Sequence, residues 1–216
     1  MPKTRLDKAL AIALEAYRLS RQQGQADVLQ ATAEWLRAFR QDVRKKGMMG
    51  LQSGDPNLAV QLHKWEIQVC RETDDLSELA VALVNSARAL EKDTRPAEAM
   101  DLLTEAEQIL AKIDDRKRLL AALELHANLC YQNAKDDRAL ELLLQQERIA
   151  RSLKETKLLW GALYYQAVIW ACDKQQPAKA LPLAKEAHAL STGQKDQEAA
   201  KRIKEFVVAI QSGKLV

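Results

Sequence analysis

An all-α fold is what this sequence predicts: an α-solenoid, a right-handed superhelix of about ten antiparallel helices. Three observations point there. Of the 216 residues, 34 are Ala and 33 are Leu, while Gly (7), Pro (5), Val (10) and Ile (8) are sparse, so turn-formers and strand-formers are both scarce. Apolar residues recur at helical spacing, as in Leu83, Ala87 and Leu90. The chain also repeats itself with a period of about 40 residues, which is the mark of stacked structural units. The same composition excludes a sandwich, a barrel, a collagen-like chain or a disordered one. A chain this long buries roughly 70% of its unfolded surface and needs neither disulfide nor metal to fold.

Each unit reads as two helices. Residues 82–87, 122–127 and 162–167 each begin Ala-Leu and end in Ala, without gaps. Ala99, Ala139 and Ala180 open the second halves, each after a break, and Ile109, Ile149 or Leu190 follows ten residues on. The breaks are Asp93-Thr94-Arg95-Pro96, Lys135-Asp136 and Gln175-Gln176-Pro177. Proline at a helix start sacrifices no intrahelical bond, which places Pro56 and Pro177 at first turns. Asp136 is read as an N-cap. Upstream, residues 56–72 form another second helix, Ala33 and Ala38 repeat the alanine spacing of first helices, and Ala9, Ala13 and Ala16 that of second helices. Downstream, Ala199, Ile203, Phe206 and Ile210 mark a closing helix. Gly24, Gly193 and Gly213 fall near helix ends. The domain reading is one solenoid over residues 1–216: a helix pair at 1–46, an irregular linker at 47–55, regular pairs over 56–191, and a closing helix at 194–212.

Other features bound the function. Thirty-three basic against thirty acidic residues leave +3, too balanced to imply nucleic acid or an anionic membrane. Cys70, Cys130 and Cys172 are odd in number and form no CxxC pair, so they read as buried thiols of a reducing compartment. The leader from Met1 to Arg5 runs into charged Asp7 and Lys8, unlike a signal peptide, and no membrane-length apolar run exists. The expectation is a soluble, cytoplasmic protein.

The repeat resembles the tetratricopeptide (TPR) superfamily. The resemblance covers most of the chain and is strongest over residues 79–190. It rests on Ala87, Ala127 and Ala167 in the first helices, on Ala99, Ala139 and Ala180 twelve or thirteen residues later, and on Ala106 and Ala187 seven further on. Departures are Gln146 at the third small position and Leu83, Leu123 or Leu163 where tryptophan is usual. The unit is also longer than the roughly 34 residues of the usual repeat. In length it is similar to the sensor regions of large bacterial regulators and to kinesin-light-chain-type repeats. The resemblance implies a binding scaffold whose first helices line a concave groove. Carried over positionally, Val84, Arg88 and Glu91 face that groove, followed by Glu124, Asn128 and Tyr131, then Tyr164, Val168 and Ala171. Such a groove fits an extended peptide or a helix. Val84, Glu124 and Tyr164 replace the cationic clamp of a chaperone-tail receptor, which argues against that subtype.

Two further stretches are candidate partner surfaces, against the plainer readings that the first tucks against the first two helices and that the second is a solvated face with cations near a helix C-terminus. The Gly47–Gly54 stretch widens the alanine spacing, from Ala38 to Ala59, well beyond the twelve or thirteen found elsewhere. As a flexible loop it would present Met48, Met49 and Leu51 for docking. Arg37, Arg40 and Arg44 at i, i+3 and i+7 form a basic stripe for an anionic partner, which Asp42 dilutes. Trp35, Trp65, Trp160 and Trp170 read as packing residues, Trp170 aligning with Leu90 and Cys130. His63, His126 and His188 lie on three helices without metal spacing, and no phosphate loop or nucleophile constellation appears. Asp114-Asp115 and Asp136-Asp137 fall at turns. Neither catalysis nor a cofactor is implied.

The sequence thus reads as a non-catalytic protein–protein interaction scaffold or adaptor that takes a peptide or helix in its groove or at an array end. A regulatory sensor for a signalling peptide or small ligand is one alternative; a nucleic-acid-associated scaffold using the basic stripe from Arg37 to Lys46 is a disfavoured second. The first helix carries a second-helix pattern, so the N-terminal end is also a candidate for self-association.

Overall fold

The computed structural model describes residues 5–193 and 197–214. The first four leader residues and the opening of the 194–212 closing segment, residues 194–196, lie outside them. Among the described residues there are ten α-helices and no strand. They are α1 (Arg5–Gln23), α2 (Ala26–Gln52), α3 (Pro56–Glu72), α4 (Leu76–Lys92), α5 (Pro96–Lys112), α6 (Arg116–Gln132), α7 (Asp136–Leu153), α8 (Thr156–Val168), α9 (Pro177–Gly193) and α10 (Gln197–Ser212). The chain forms two compact units, Met1–Ile113 and Asp114–Val216, holding α1–α5 and α6–α10. Within each, every helix packs on its sequence neighbour.

The turns show how the period arises. Asp74, Thr94, Asp114, Ala134 and Lys154, evenly spaced along the chain, all adopt φ between 54° and 57°, and Gly54 precedes them at 79°. A left-handed residue after a helix ends it and lets the next amide reach back to an unsatisfied carbonyl. Asp75 N–H thus donates to Cys70 O at 3.0 Å, and Lys135 N–H to Cys130 O at 2.9 Å. Aspartates at the following position cap the next helix: Asp55, Asp75 and Asp115 accept from Leu58, Glu78 and Arg118 amides. In α7 the expected cap shifts. Asp136 is the first helical residue, and Lys135 occupies the cap position without a side-chain bond.

One extra residue disturbs this period. Alanine spacing is 12 in the units ending at Ala99 and Ala139 but 13 before Ala180, and the last left-handed residue is Gln175 rather than its predecessor. Helix α8 absorbs the addition as a π turn at Ile169–Asp173. The closing bond then reaches one residue further back, Gln176 N–H to Trp170 O at 2.7 Å. Trp170 is displaced from the interior place of Leu90 and Cys130 to a half-buried one, and Ala171 is buried instead. Lys179 Nζ sits 4.2 Å from the Trp170 ring centre. Cys172, expected buried, is exposed there.

The predicted linker at 47–55 is not irregular. Helix α2 runs unbroken through Gly47 and Gly50 to Gln52. Gly47 lies one full period before Ala87, so glycine, not Ala38, fills the small position. A Cβ on Gly47 would stand 2.7 Å from His63 Nε2, and one on Gly50 would stand 3.3 Å from Asp55 O. Close approach of α3, rather than flexibility, requires both. The apparent stretch in spacing is helix added at the N-terminus of α2.

Packing in the first unit centres on Leu10, Leu14, Leu36, Phe39, Val43, Leu62 and Val69, continued by Ile67, Cys70, Leu79, Leu83 and Ala106. The second unit packs Leu120, Trp160, Leu163, Ala187 and Ile203. Arginine–glutamate pairs tie consecutive second helices together: Arg18 to Glu72, Arg71 to Glu105 at 2.8 Å, and Arg151 to Glu186 at 2.8 Å.

Candidate partner-binding faces

First helices pack through one face and leave another outward. The packing positions repeat in kind: Val43, Leu83, Leu123 and Leu163 are buried, as are Gly47, Ala87, Ala127 and Ala167. The outward positions do not repeat. Arg44, Val84, Glu124 and Tyr164 occupy one register, and Met48, Arg88, Asn128 and Val168 the next.

In the second unit these positions gather aromatic rings. Tyr131 of α6 lies 6.4 Å from Tyr165 of α8, and Tyr164 meets Tyr165 edge-on at 5.6 Å. All three are half-buried. Such offset and edge-to-face pairs hold rings in place while leaving apolar area open. Asn128 and Val168 are half-buried and Glu124 exposed on the same helices. From α10, Phe206 packs edge-on against Tyr164 at 5.6 Å and Arg202 lies 5.4 Å from its ring, so the closing helix covers part of Tyr164. Burial pushes the Tyr164 hydroxyl pKa up, with Arg202 opposing. Burial, then the nearby Asp173, Cys172 and Asp136, raise that of Tyr131. Both tyrosines stay neutral donors at physiological pH.

In the first unit Arg88 is exposed, and Val84 and Glu91 are half-buried. Met48 and Leu51 belong to helix α2, not to a loop. They stand at the register of Arg88 and Glu91, with Met48 and Met49 exposed.

The basic stripe is corrected by the structure. Of its three arginines only Arg37 remains exposed. Arg40 is buried and donates to Asp75 Oδ2 at 2.7 Å. Arg44 donates through Nη2 to Glu78 Oε2 at 2.5 Å and through Nε to fully buried Glu66. Glu66 also meets His63 Nδ1 at 2.8 Å. Two of the three arginines therefore tie α2 to α3 and α4. Burial pulls the Asp75 pKa up, but the Arg40 hydrogen bond, the Glu78 amide and the two arginine charges outweigh it and hold the carboxyl below its usual range. Burial pushes the Cys70 thiol up to about 11 against the pull of Arg40, leaving it inert as a nucleophile.

The tryptophans divide. Trp160 is buried, Trp65 donates its indole N–H to Asp7 at 2.8 Å, and Trp35, though exposed, stacks on Phe39 at 5.2 Å. A cleft of about 450 Å³ went unforeseen: it lies between α3 and α5 over α4, lined by Lys64, Ile67, Arg71, Leu90, Glu98 and Asp101. Helix separation creates it, and no spacing in the sequence encodes that. The histidines stay on separate helices, and among the described residues no cluster of His, Cys, Asp and Glu is arranged to hold a metal. No helix among them is long and apolar enough to cross a membrane.

Paired helices at a fixed period, small residues at the crossing and outward first-helix positions define a TPR-like helical repeat. Comparison with solved structures gives the same fold. The chain is similar to BtubC (BKLC) from P. vanneervenii, at 14% identity and a TM-score of 0.62, covering 98% of this chain and 92% of that one. Similarity extends to TPR-like repeats of a kinesin light chain from Podosopora anserina, at 19% identity and a TM-score of 0.58, covering 84% and 97%. The apo form of RapI gives a TM-score of 0.73 at 13% identity; it covers 99% of this chain, which spans only 62% of RapI. A Rap protein complexed with Competence and Sporulation Factor gives 0.60 at 17% identity, with the same coverages. By sequence, no family model and no curated protein matches.

Proposed function

We propose that the protein is a non-catalytic scaffold that takes a peptide or helix of a protein partner on the outward face of its first helices. The observation carrying this reading is the tyrosine row Tyr131–Tyr165–Tyr164. Tyrosine supplies rigid contact area and a polar tip at low entropic cost, and is enriched among the anchors of interfaces. Asn128, Glu124 and Val168 beside it would set orientation. In the first unit, Val84, Arg88, Met48 and Leu51 offer a second, chemically different strip, with Met49 alongside. The test is a pull-down with mass spectrometry from the native cells. Wild type is run beside an Asn128→Ala/Tyr131→Ala variant and an Arg88→Ala/Met48→Ala variant. A partner lost only in the first pair supports the tyrosine row. Equal retention in both removes the first-helix face from consideration.

A sensor for a signalling peptide is the second reading, favoured by likeness to the Rap protein solved with Competence and Sporulation Factor. Ligand-dependent thermal stabilisation separates the two, since a ligand of the folded state alone raises stability by mass action. The nucleic-acid reading loses its support because Arg40 and Arg44 are engaged internally.

A further inference from the structure

Second helices of the array set small and large apolar residues in one register, which Glu66 of α3 and Gln146 of α7 interrupt. Ala59, Leu62 and Val69 of α3 are sealed, and Leu62 and Val69 pack with Leu36, Phe39 and Val43 of α2, the first helix before it. The same register holds Ala99, Leu102, Ala106 and Ile109 on α5, and Ala180, Leu183, Ala187 and Leu190 on α9, with the alanines fully buried. The left-handed turns at Gly24 and Asp74 put Ala9 of α1 in register with Ala59 of α3. The α1 residues of that register are Ala9, Ile12, Ala16 and Leu19, the same alternation of small and large. Yet Ile12 is 71% exposed and Leu19 43%, because among the described residues no helix precedes α1.

The opposite end is built differently. Helix α10 packs on α9 and buries Ala199, Ile203 and Ile210, and its exposed positions include Lys204, Val208 and Gln211. A head-to-tail contact of α10 on α1 would bury the ammonium and amide against Ile12 and Leu19, and unpaired polar burial is costly. The N-terminal face is therefore a poor match for the C-terminal end of another copy.

We infer that the exposed face of α1 is a self-association surface, on which α1 of a second copy packs antiparallel about a two-fold axis. Laid so, Ile12 of each copy meets Ala16 of the other, and Leu19 meets Ala9, so each large side chain faces a small one. A two-fold contact requires this self-complementarity. Glu15, beside the axis, is paired with Arg18 at 3.4 Å. Helix α1 is about 28 Å long, so the pairing covers several hundred Å² per copy, at the low edge of the roughly 800 Å² of standard interfaces. The inference is independent of the tyrosine row, which α1 does not contribute to.

Sedimentation equilibrium of the full chain across roughly 1 µM to 1 mM tests it. Wild type is expected to pass from monomer to dimer. Ile12→Glu/Leu19→Glu should stay monomeric with unchanged helical circular dichroism, and Val208→Glu at the other end should dimerise like wild type. Independently, Glu15→Cys in a Cys172→Ser background should form a disulfide-linked dimer on mild oxidation. A monomer throughout the range, open-ended polymers, assembly lost in Val208→Glu but kept in Ile12→Glu/Leu19→Glu, or no cross-link in the Glu15→Cys variant would each overturn the inference.

Discussion

Replacing Gly47 by alanine sets two effects of opposite sign against each other. Glycine inside a helix is about 1 kcal/mol worse than alanine, so propensity alone makes Gly47→Ala stabilising. The structure gives the opposite answer. The new Cβ would stand 2.7 Å from Nε2 and 2.8 Å from Cε1 of His63. His63 is fully buried and pinned by its 2.8 Å contact with Glu66, itself fully buried and held by Arg44. The ring has nowhere to go without breaking that network. Overpacking of this kind costs about 1–3 kcal/mol, and loosening the network adds to it. The net expectation is a loss of about 1–2 kcal/mol, which lowers Tm by about 5 °C in a chain this size. Thermal and urea melts followed by circular dichroism read it directly. Gly161 supplies the control, since a Cβ there meets nothing within 4 Å; Gly161→Ala should gain about 0.5–1 kcal/mol. A double-mutant cycle with His63→Ala isolates the clash: Gly47→Ala should turn from harmful to helpful once the imidazole is gone, a coupling of about 2 kcal/mol. If Gly47→Ala is more stable than wild type, or the cycle shows no coupling, the glycine is not there for the histidine and the account of α2 fails.

Other expectations follow from the same geometry. Glu66→Ala leaves Arg44 and His63 facing an emptied buried site and should cost about 3–5 kcal/mol, measured by chemical denaturation. Because the Asp75 carboxyl is held below its ordinary pKa, the folded state binds its proton less readily than the unfolded one. Its contribution is full above about pH 4 and fades as pH falls further; in Asp75→Asn the acid side of the stability profile should be flatter. Thr94 is β-branched at φ 57°, so Thr94→Gly should raise stability by up to about 1 kcal/mol, and a loss would show the turn to be held by its side chain. Deleting Trp170 should restore the even spacing of the turns, place Ala171 in register with Leu90 and Cys130, and leave the thermal midpoint within about 4 °C of wild type. Loss of cooperative unfolding would show the π turn to be structurally required.

How far the sequence revealed this depends on the feature. Helix number, the repeating unit and its small positions were legible because they are covalent spacing, and most helix breaks carry a proline or an Asp next to a reversal, those at Gly24 and Lys154 excepted. Gly47 was misread because glycine signals flexibility and close approach equally, and only the register, one period before Ala87, tells which. The thirteenth residue before Ala180 was visible, but where a helix absorbs an insertion depends on packing around Trp170. The arginine stripe failed for a different reason. Spacing at i, i+3 and i+7 puts Arg37, Arg40 and Arg44 on one face, yet it is silent on whether water or Glu66, Asp75 and Glu78 lies opposite. The tyrosines at 131 and 164 could be placed on first helices; their link through Tyr165 and the cover from Phe206 could not.

Sameness and variation along the first helices separate the fold's requirements from those of recognition. Leu83, Leu123 and Leu163, with Ala87, Ala127 and Ala167, repeat because each helix crossing needs one large and one small side chain. Nothing in packing demands that the outward positions differ, and a solvated face could be filled by Lys and Glu throughout. Instead Arg44, Val84, Glu124 and Tyr164 share one register, and Met48, Arg88, Asn128 and Val168 another. Arg44 is accounted for by its ion pairs with Glu66 and Glu78, and Val84 and Tyr164 pack against the cores of their units; exposed Met48, Arg88 and Glu124 have no such role in the frame. Under the proposed function, these variable positions are where a partner would be read within each unit. Substituting Asn128 and Tyr131 should accordingly leave the melting curve near wild type while abolishing partner capture, and equal loss of both would assign those residues to the frame.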